Sequence, residues 1–507
     1  MSSLIPKPKK ESYDGQFLNV DEAFCIVNES FDGIIEKAFY QRIQKSMDGT
    51  KVNVHRNDNL SAEGYRLIIN KSAVEIEASS ENGAIYGLCS LRLLMDNKGN
   101  IPCGQIEDEP IYKHRGLHLD CARHFFSKSE IKKILDEMYT VKLNRFHWHL
   151  SDDQGWRIEL DKYPELVRQC GNEYYTKDDI KDIVVYAHER GIEVIPEIDM
   201  PGHTRSLTSA FPKLSCFEEK VQLAKFGGIY PVILCPGKED TFTFLKNMLD
   251  EIVPLFPGKY FHMGGDEAPK KKWKECLYCQ KRIKEEGLKD EAELQGYFSK
   301  RIGDYLKDQY QKIVICWNDS LEAADFLTGD EIIQYWTLDH RSNMDVFLDK
   351  GGQFIYSDMF DIYYDYPAAM SPMRRSYSFT PIIGGTDYGN DKRLLGYEAC
   401  VWTEHITTDE NLERRIFPRI YALAEKAWSN PNEDNYKDFK LRLKKYKKIT
   451  GVIWGNSDPR GIKKALEKLR FIKSLSSAMP EEIRNETIDA AKTSDEFMKV
   501  FSEKMLK

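Results

Sequence analysis

The stretch Tyr260-Phe261-His262-Met263-Gly264-Gly265-Asp266-Glu267-Ala268-Pro269 decides how the chain is read. A mostly apolar run, Tyr260 to Met263, meets two glycines, two adjacent carboxylates and a proline. A buried strand reads this way when it ends in a loop whose backbone bends tightly. Asp266 and Glu267 then stand at the mouth of whatever that strand belongs to. Two carboxylates at one mouth invite separate jobs, because crowding and burial push their pKa values apart. A solvated acidic turn is the plainer reading of an Asp-Glu pair, and the other strands decide between the two.

Working outward, short apolar strands alternate with helical stretches from about residue 109 onward. The strands are Arg115 to Asp120, Arg145 to Leu150, Glu193 to Ile198, Tyr260 to Met263, Ile313 to Trp317, Ile332 to Trp336, Gln353 to Tyr356 and Tyr397 to Trp402. Amphipathic segments lie between several of them: Lys128 to Val141, Lys177 to Arg190, Thr241 to Leu255 and Glu291 to Lys307. The repeat predicts an α/β fold, a (β/α)8 TIM barrel over 109–430, with its chemistry at the carboxyl ends of the strands. Polar and aromatic residues do recur there: Asp120 and Arg123; His149, Asp152 and Asp153; Glu197, Asp199 and His203; Asp266 and Glu267; Trp317 and Asp319; Trp336; Tyr363 and Asp365; Trp402 and Glu404. A purely structural barrel has no need of them, so a polar, aromatic-lined pocket is expected.

Residues 1–108 read as a small α+β domain. Helical spacing runs from Asp32 to Ser46, paired strands alternate around Asn70-Lys71, and Asn82 to Met95 reads as an apolar-faced helix. It carries no cluster of reactive residues, so a structural role is expected. Residues 431–507 form a C-terminal helical segment, with helices at Tyr436 to Thr450, Gly461 to Leu475 and Pro480 to Lys507. Its Lys-rich run Leu443 to Lys448 is read as an exposed helix face.

A length of 507 residues suits two or three units, and an apolar fraction of 41% with 12% aromatics supports a large core. A net charge of -8 gives no support to a nucleic-acid partner. No run approaches about 18 apolar residues, so no membrane partner is expected. The start, Met1 to Lys10, has no apolar h-region, so no signal peptide is expected. Eleven cysteines, scattered mostly singly in apolar segments, read as reduced core residues and point to the cytoplasm.

Several motifs together resemble glycoside hydrolase family 20, the β-N-acetylhexosaminidases. They are His262-Met263-Gly264-Gly265-Asp266-Glu267, His114-Arg115-Gly116-Leu117-His118-Leu119-Asp120, His147 to Trp156, Pro196 to His203, Cys316-Trp317-Asn318-Asp319, Gln334-Tyr335-Trp336, Tyr363-Tyr364-Asp365 and Val401-Trp402-Thr403-Glu404. The resemblance spans roughly residues 60 to 430 in the family's order. It implies an exo-acting hydrolase that removes terminal β-linked GlcNAc or GalNAc with retention, by substrate-assisted catalysis. By the same resemblance Glu267 is the general acid and then the base. Asp266 orients the substrate's 2-acetamido group and stabilises the oxazolinium that forms when the amide oxygen attacks the anomeric carbon.

The residue types suit that chemistry. Glu267 must be protonated near neutral pH, whereas Asp266 must stay ionised and so requires nearby hydrogen-bond donors. The resemblance makes Trp317, Trp336 and Trp402 walls around the acetamido methyl, and Tyr363 the hydroxyl that donates to the amide oxygen. Arg115 matches the arginine for the outer sugar hydroxyls, with Asp365 and Glu404 as partners; taken alone, an Arg on a buried strand more often pairs with a structural carboxylate, and a bridge between Glu404 and the sugar would let Arg115 do both. Asp152 and His203 match the residues that support the acid's protonation cycle, with the choice between Asp152 and Asp153 open. Many relatives carry a further Trp beside the Tyr-x-Asp motif, and here no Trp occurs between Trp336 and Trp402.

No cofactor or metal is expected. Cys276-Leu277-Tyr278-Cys279 has metal-ligand spacing, but no second Cys pair stands nearby in sequence to complete four ligands. His147 and His149 share a strand face without a carboxylate or third His in that strand and read as packed, hydrogen-bonded residues. A non-catalytic glycan-binding protein, or a transglycosylase or biosidase on the same barrel, are the rival readings. The expected partner is an oligosaccharide or glycoconjugate ending in β-GlcNAc or β-GalNAc.

Overall fold

The structure, a computed structural model, describes residues 3–20, 23–40, 43–337, 341–431, 433–452 and positions 463, 464, 466, 468 and 469. Eight strands, β1 (His114–Asp120), β2 (Arg145–His149), β3 (Glu193–Glu197), β4 (Tyr260–His262), β5 (Ile313–Trp317), β6 (Ile332–Tyr335), β7 (Gln353–Tyr356) and β8 (Leu394–Val401), form a closed barrel. Every neighbouring pair is parallel and in chain order, and β8 closes on β1 through the register Gly396↔His114 to Val401↔Leu119. Strands buried on both faces read as continuous apolar runs, which is why their positions stood out in the sequence. β8 begins at Leu394, ahead of the apolar run that marked it.

The helices between the strands lay an apolar stripe on the barrel. Lys128–Thr140 is capped by Ser127, whose hydroxyl accepts from the Glu130 amide, and it buries Ile131, Ile134, Leu135 and Met138. Lys177–His188 starts in a Thr176/Asp179 capping box and buries Ile180, Ile183 and Ala187. The barrel floor is aliphatic, built from Ile195, Ile315, Ile332 and Ile355. Above that floor the interior turns polar, and the site begins.

Ahead of the barrel lies a separate α+β unit, a seven-stranded mixed sheet covered by the helix Glu81–Leu94. Tyr65–Ile69 and Val74–Ala78 pair antiparallel around the Asn70-Lys71 turn. The helix expected from Asp32 to Ser46 is shorter, Ile34–Tyr40, because Gln44–Lys45 pairs with Ala23–Phe24 at the sheet edge. Tertiary pairing outweighs helical spacing there.

The helix Tyr436–Thr450 follows the barrel and buries Tyr436, Phe439, Arg442, Leu443 and Tyr446. Arg442 pairs with Glu425 and donates to the Leu4 carbonyl (2.8 Å), so this helix ties the barrel to the start of the chain. Lys444, Lys445, Lys447 and Lys448 are exposed on its other face. The helices expected at 461–475 and 480–507 lie outside the described residues, apart from the isolated positions named above. Among the described residues no helix is long and apolar enough to cross a membrane.

Candidate active site

At the end of β4 the backbone turns through Gly264 (φ 67°) and Gly265 (φ 95°). A Cβ on Gly264 would lie 1.8 Å from Asp199 Oδ1, so the chain passes where only glycine fits. Asp199, just beyond β3, holds the turn by accepting the Gly265 amide (2.9 Å). The Gln295 side-chain amide donates to the Gly265 carbonyl (2.8 Å) from the helix outside. The turn delivers Asp266, almost fully buried, and Glu267, whose side chain is 35% exposed, onto the mouth of the barrel. Glu267 itself has φ 46°, a left-handed conformation that a glutamate rarely adopts; its amide is held by Asp319 Oδ1 at 3.1 Å.

His203, also left-handed at φ 49°, stands between the carboxylates. Its Nε2 lies 3.4 Å from Glu267 Oε2 and 3.7 Å from Asp266 Oδ2. Its Nδ1 lies 3.2 Å from Asp152 Oδ1 and 3.4 Å from Asp153 Oδ2. Burial lowers the His203 pKa, but the charge of Asp152 and bonds to Asp152, Asp153 and Glu267 outweigh it and hold it well above the usual imidazole range. Burial likewise raises Asp152, yet Arg123, His203 and the His149 bond keep its carboxyl far below the ordinary value. Asp153 moves the other way, raised by burial first. The geometry therefore favours Asp152 as the ionised anchor of an Asp152–His203–Glu267 chain.

Asp266, like its neighbour Asp199, is shifted upward by burial. Burial, only partly offset by His203 and reinforced by Asp319 and Glu267, pushes its carboxyl up to about 7. Its Oδ1 is buried and has no hydrogen-bond partner among the described residues. The donors expected around Asp266 are thus missing: Oδ1 is enclosed without one, and His203 Nε2 stands 3.7 Å from Oδ2.

That pocket has aromatic walls. Trp317 and Trp402 lie 5.8 Å apart, Trp402 and Tyr363 6.4 Å, and Tyr363 stacks on Trp336 at 6.2 Å with their planes 13° apart. Met359, Phe360 and Met370 back the cluster, and Tyr366 packs at its edge. Trp317 is pinned by its indole N–H donating to Glu197 Oε1 (2.8 Å), and Trp336 by donating to Asp319 Oδ2 (2.9 Å). Burial keeps the Tyr363 hydroxyl protonated, and the Asp266 charge is close enough to add to that effect.

Arg115 is a correction. It is the second residue of β1, near the end of the strand remote from the mouth, and its odd position points it away from the lumen that His118 and Asp120 face. Its guanidinium forks onto Glu63 of the N-terminal domain (2.8 and 3.0 Å) and donates to the Tyr86 hydroxyl (3.0 Å) and the Lys142 carbonyl (2.9 Å). Burial raises Glu63, but the Arg115 charge and bonds bring it down to about 2. Arg115 clamps the two domains and does not reach Glu404. The arginine at the mouth is Arg123, whose Nη2 lies 2.8 Å from Asp152 Oδ2 and 4.0 Å from Glu404 Oε1, with its guanidinium 4.9 Å over the Trp402 ring. Asp365 and Glu404 are half-buried neighbours; burial and then the Glu404 charge push Asp365 up to about 7. Asp365 Oδ1 also lacks a partner among the described residues.

Beneath the mouth runs a ladder that strand-by-strand reading missed. His149 bridges Asp152 (2.8 Å) and Glu197 (2.5 Å); His147 bridges Glu197 (3.1 Å) and Glu398 (2.8 Å); His114 meets Glu398 (2.7 Å). Alternation on β1, β2, β3 and β8 sends these side chains inward, so the signal was the parity of the histidines. Asp319, which holds both the Glu267 amide and Trp336, was named at its strand end without a role. Its signal was its position directly after Trp317-Asn318.

Comparison with known proteins agrees with this geometry. Residues 112–431 match the catalytic domain of glycosyl hydrolase family 20, and residues 1–109 match domain 2 of that family. A β-hexosaminidase of Porphyromonas gingivalis is 37% identical over 415 residues, covering 76% of this chain and 53% of that protein, so the chain spans about half its length. One from Vibrio furnissii is 30% identical over 468 residues, 83% of this chain and 76% of that protein. The crystal structure of a β-N-acetylhexosaminidase from Bacteroides fragilis has a TM-score of 0.80 at 31% identity, covering 90% of this chain and 97% of its own. The chain belongs to glycosyl hydrolase family 20.

Proposed function

We propose that the chain is an exo-β-N-acetylhexosaminidase that releases terminal β-linked GlcNAc or GalNAc from oligosaccharides or glycoconjugates, with retention and with the substrate's own amide as nucleophile. The observation that carries this reading is the Asp266 carboxylate at the barrel mouth, its side chain 11% exposed and close enough to Tyr363 to act on its hydroxyl, together with the tryptophan walls. An amide N–H is a donor this carboxylate lacks, and the Tyr363 hydroxyl is the donor an amide oxygen needs. Bound between them, an acetamido group has its oxygen directed at the anomeric carbon. Positive charge then develops on that group as the oxazolinium forms, and donation of its N–H to Asp266 favours the ionised carboxylate.

Glu267 stands over the glycosidic oxygen in this arrangement. It gives its proton to the leaving group, and afterwards takes one from the water that opens the oxazolinium. The Asp152–His203 pair adjusts the charge beside it between the two steps. Arg123, Asp365 and Glu404 hold the outer hydroxyls. A streptomycete relative has been crystallised with GlcNAc as product, which supports the sugar assignment.

The test is turnover of an aryl β-N-acetylglucosaminide and galactosaminide against the matching β-glucoside, with the first-formed anomer followed by NMR. Release of monosaccharide as the β-anomer is expected, with the glucoside slower by at least about a thousandfold. Comparable glucoside turnover, or tight sugar binding with no turnover at all, would overturn the reading.

A further inference from the structure

The motif Cys276-Leu277-Tyr278-Cys279 is short of two ligands in the sequence, and the fold brings two more to it. Cys216 and Cys235 come from the long loop after β3, and Cys276 and Cys279 from the loop after β4. Cys216 Sγ lies 3.8 Å from Cys279 Sγ, and Cys235 Sγ lies 3.8 Å from Cys276 and 3.5 Å from Cys279. The four sulfurs all lie within 4.8 Å of one another, and every one of the four residues is buried. Sulfurs bonded to each other would be about 2.05 Å apart. Four thiolates around one zinc at about 2.3 Å are separated by about 3.8 Å along each edge of the tetrahedron, and the three short separations here, 3.5, 3.8 and 3.8 Å, lie close to that value.

The surroundings are those of a closed site. Ile233, Ala268, Trp273 and Leu294 enclose the quartet in apolar side chains. The Trp273 indole fixes the Leu234 carbonyl beside Cys235 (3.0 Å). Cys279 sits in the first turn of the helix Leu277–Glu286, where the helix dipole favours a thiolate. After Cys235, Gly237 passes so close to the Cys279 amide that a Cβ there would lie 2.4 Å from it. Lys238 then donates to the Ser215 carbonyl (2.8 Å), which puts a cation next to Cys216. We propose that Cys216, Cys235, Cys276 and Cys279 bind one structural Zn2+ as a tetrahedral tetrathiolate.

The position gives the metal a purpose. Cys216 and Cys235 bracket the loop 217–234, whose Gly227 packs against the Glu404 side chain at the mouth of the barrel. Cys276 and Cys279 follow the turn that carries Asp266 and Glu267, and Ala268 of that turn lies in the cluster. A Lys272–Glu219 ion pair spans the same two loops. The zinc fastens the base of the loop over the sugar's outer face to the segment that holds the catalytic carboxylates. The inference rests on the thiol geometry and stands whichever sugar the site takes.

The experiment uses the full chain purified under reducing conditions without chelator. Elemental analysis is expected to give one zinc per chain, lost in Cys216→Ser and Cys279→Ser and retained in the control Cys25→Ser. Stripping the zinc is expected to lower the thermal midpoint by about 5 °C or more and raise KM, with both restored by Zn2+. Should the Ser variants fail to fold, the wild-type chain refilled with Co2+ is expected to show the visible and sulfur-to-metal charge-transfer bands of a tetrathiolate. A folded, reduced chain that contains no zinc and takes up neither Zn2+ nor Co2+ would overturn the proposal. So would zinc that survives both substitutions.

Discussion

Asp266→Asn is expected to lower kcat on aryl N-acetylglucosaminides by about a hundred- to a thousandfold, the usual range for removing one preorganised group that faces developing charge. The same substitution is expected to stabilise the protein at neutral and alkaline pH. Burial raises the Asp266 carboxyl from 3.8 to about 7, so the folded state favours its protonated form. The stability this group contributes is fully present below pH 3.8 and is lost as pH rises through about 7. An asparagine never ionises, so the difference between variant and wild type grows from pH 4 to pH 8, to about 1–3 kcal/mol after allowing for its coupling to His203 and Glu267. Denaturation curves at the two pH values measure it directly. An Asn variant less stable than wild type at pH 8 would mean that Asp266 is satisfied in the free protein. In wild type, kcat/KM should fall as pH drops below about 7, while kcat falls only at lower pH, because the bound amide N–H holds Asp266 ionised.

Glu267→Gln carries the other large effect. Loss of the general acid is expected to cost about a hundred- to ten-thousandfold on oligosaccharides, whose leaving group needs a proton. A dinitrophenyl glycoside departs without one, so its first step should be nearly untouched, and azide should restore turnover by replacing the water that Glu267 activates. Equal losses on both kinds of substrate, without azide rescue, would show that Glu267 is not the proton donor.

The barrel was legible because its strands are short, buried on both faces with an aliphatic or aromatic outer face, and separated by helices with caps and stripes. The site's polar ring was legible because residues just past a strand's end have nowhere else to be. What failed was finer. Arg115 lies in β1 and Arg123 just past its end, and the choice between them turns on strand parity and distance. Residue 115 lies five residues before the end of β1 at about 3.3 Å each, on the face turned from the lumen. The His114–Glu398–His147–Glu197–His149 ladder joins five residues from four strands, so no local pattern announces it. The cysteine quartet is non-local in the same sense. Cys216 and Cys235 look like isolated apolar fillers until the loops after β3 and β4 meet.

The central claim is that the amide oxygen of the substrate, cupped by the tryptophans and aligned by Asp266 and Tyr363, makes the first bond to the anomeric carbon. The measurement that tests it most directly is kcat/KM for aryl glucosaminides whose N-acetyl group carries zero, one, two or three fluorines. Each fluorine withdraws electron density from that oxygen and barely changes the size of the methyl in its pocket. A steep, progressive fall in log kcat/KM across the series is expected, and a flat series would contradict the claim.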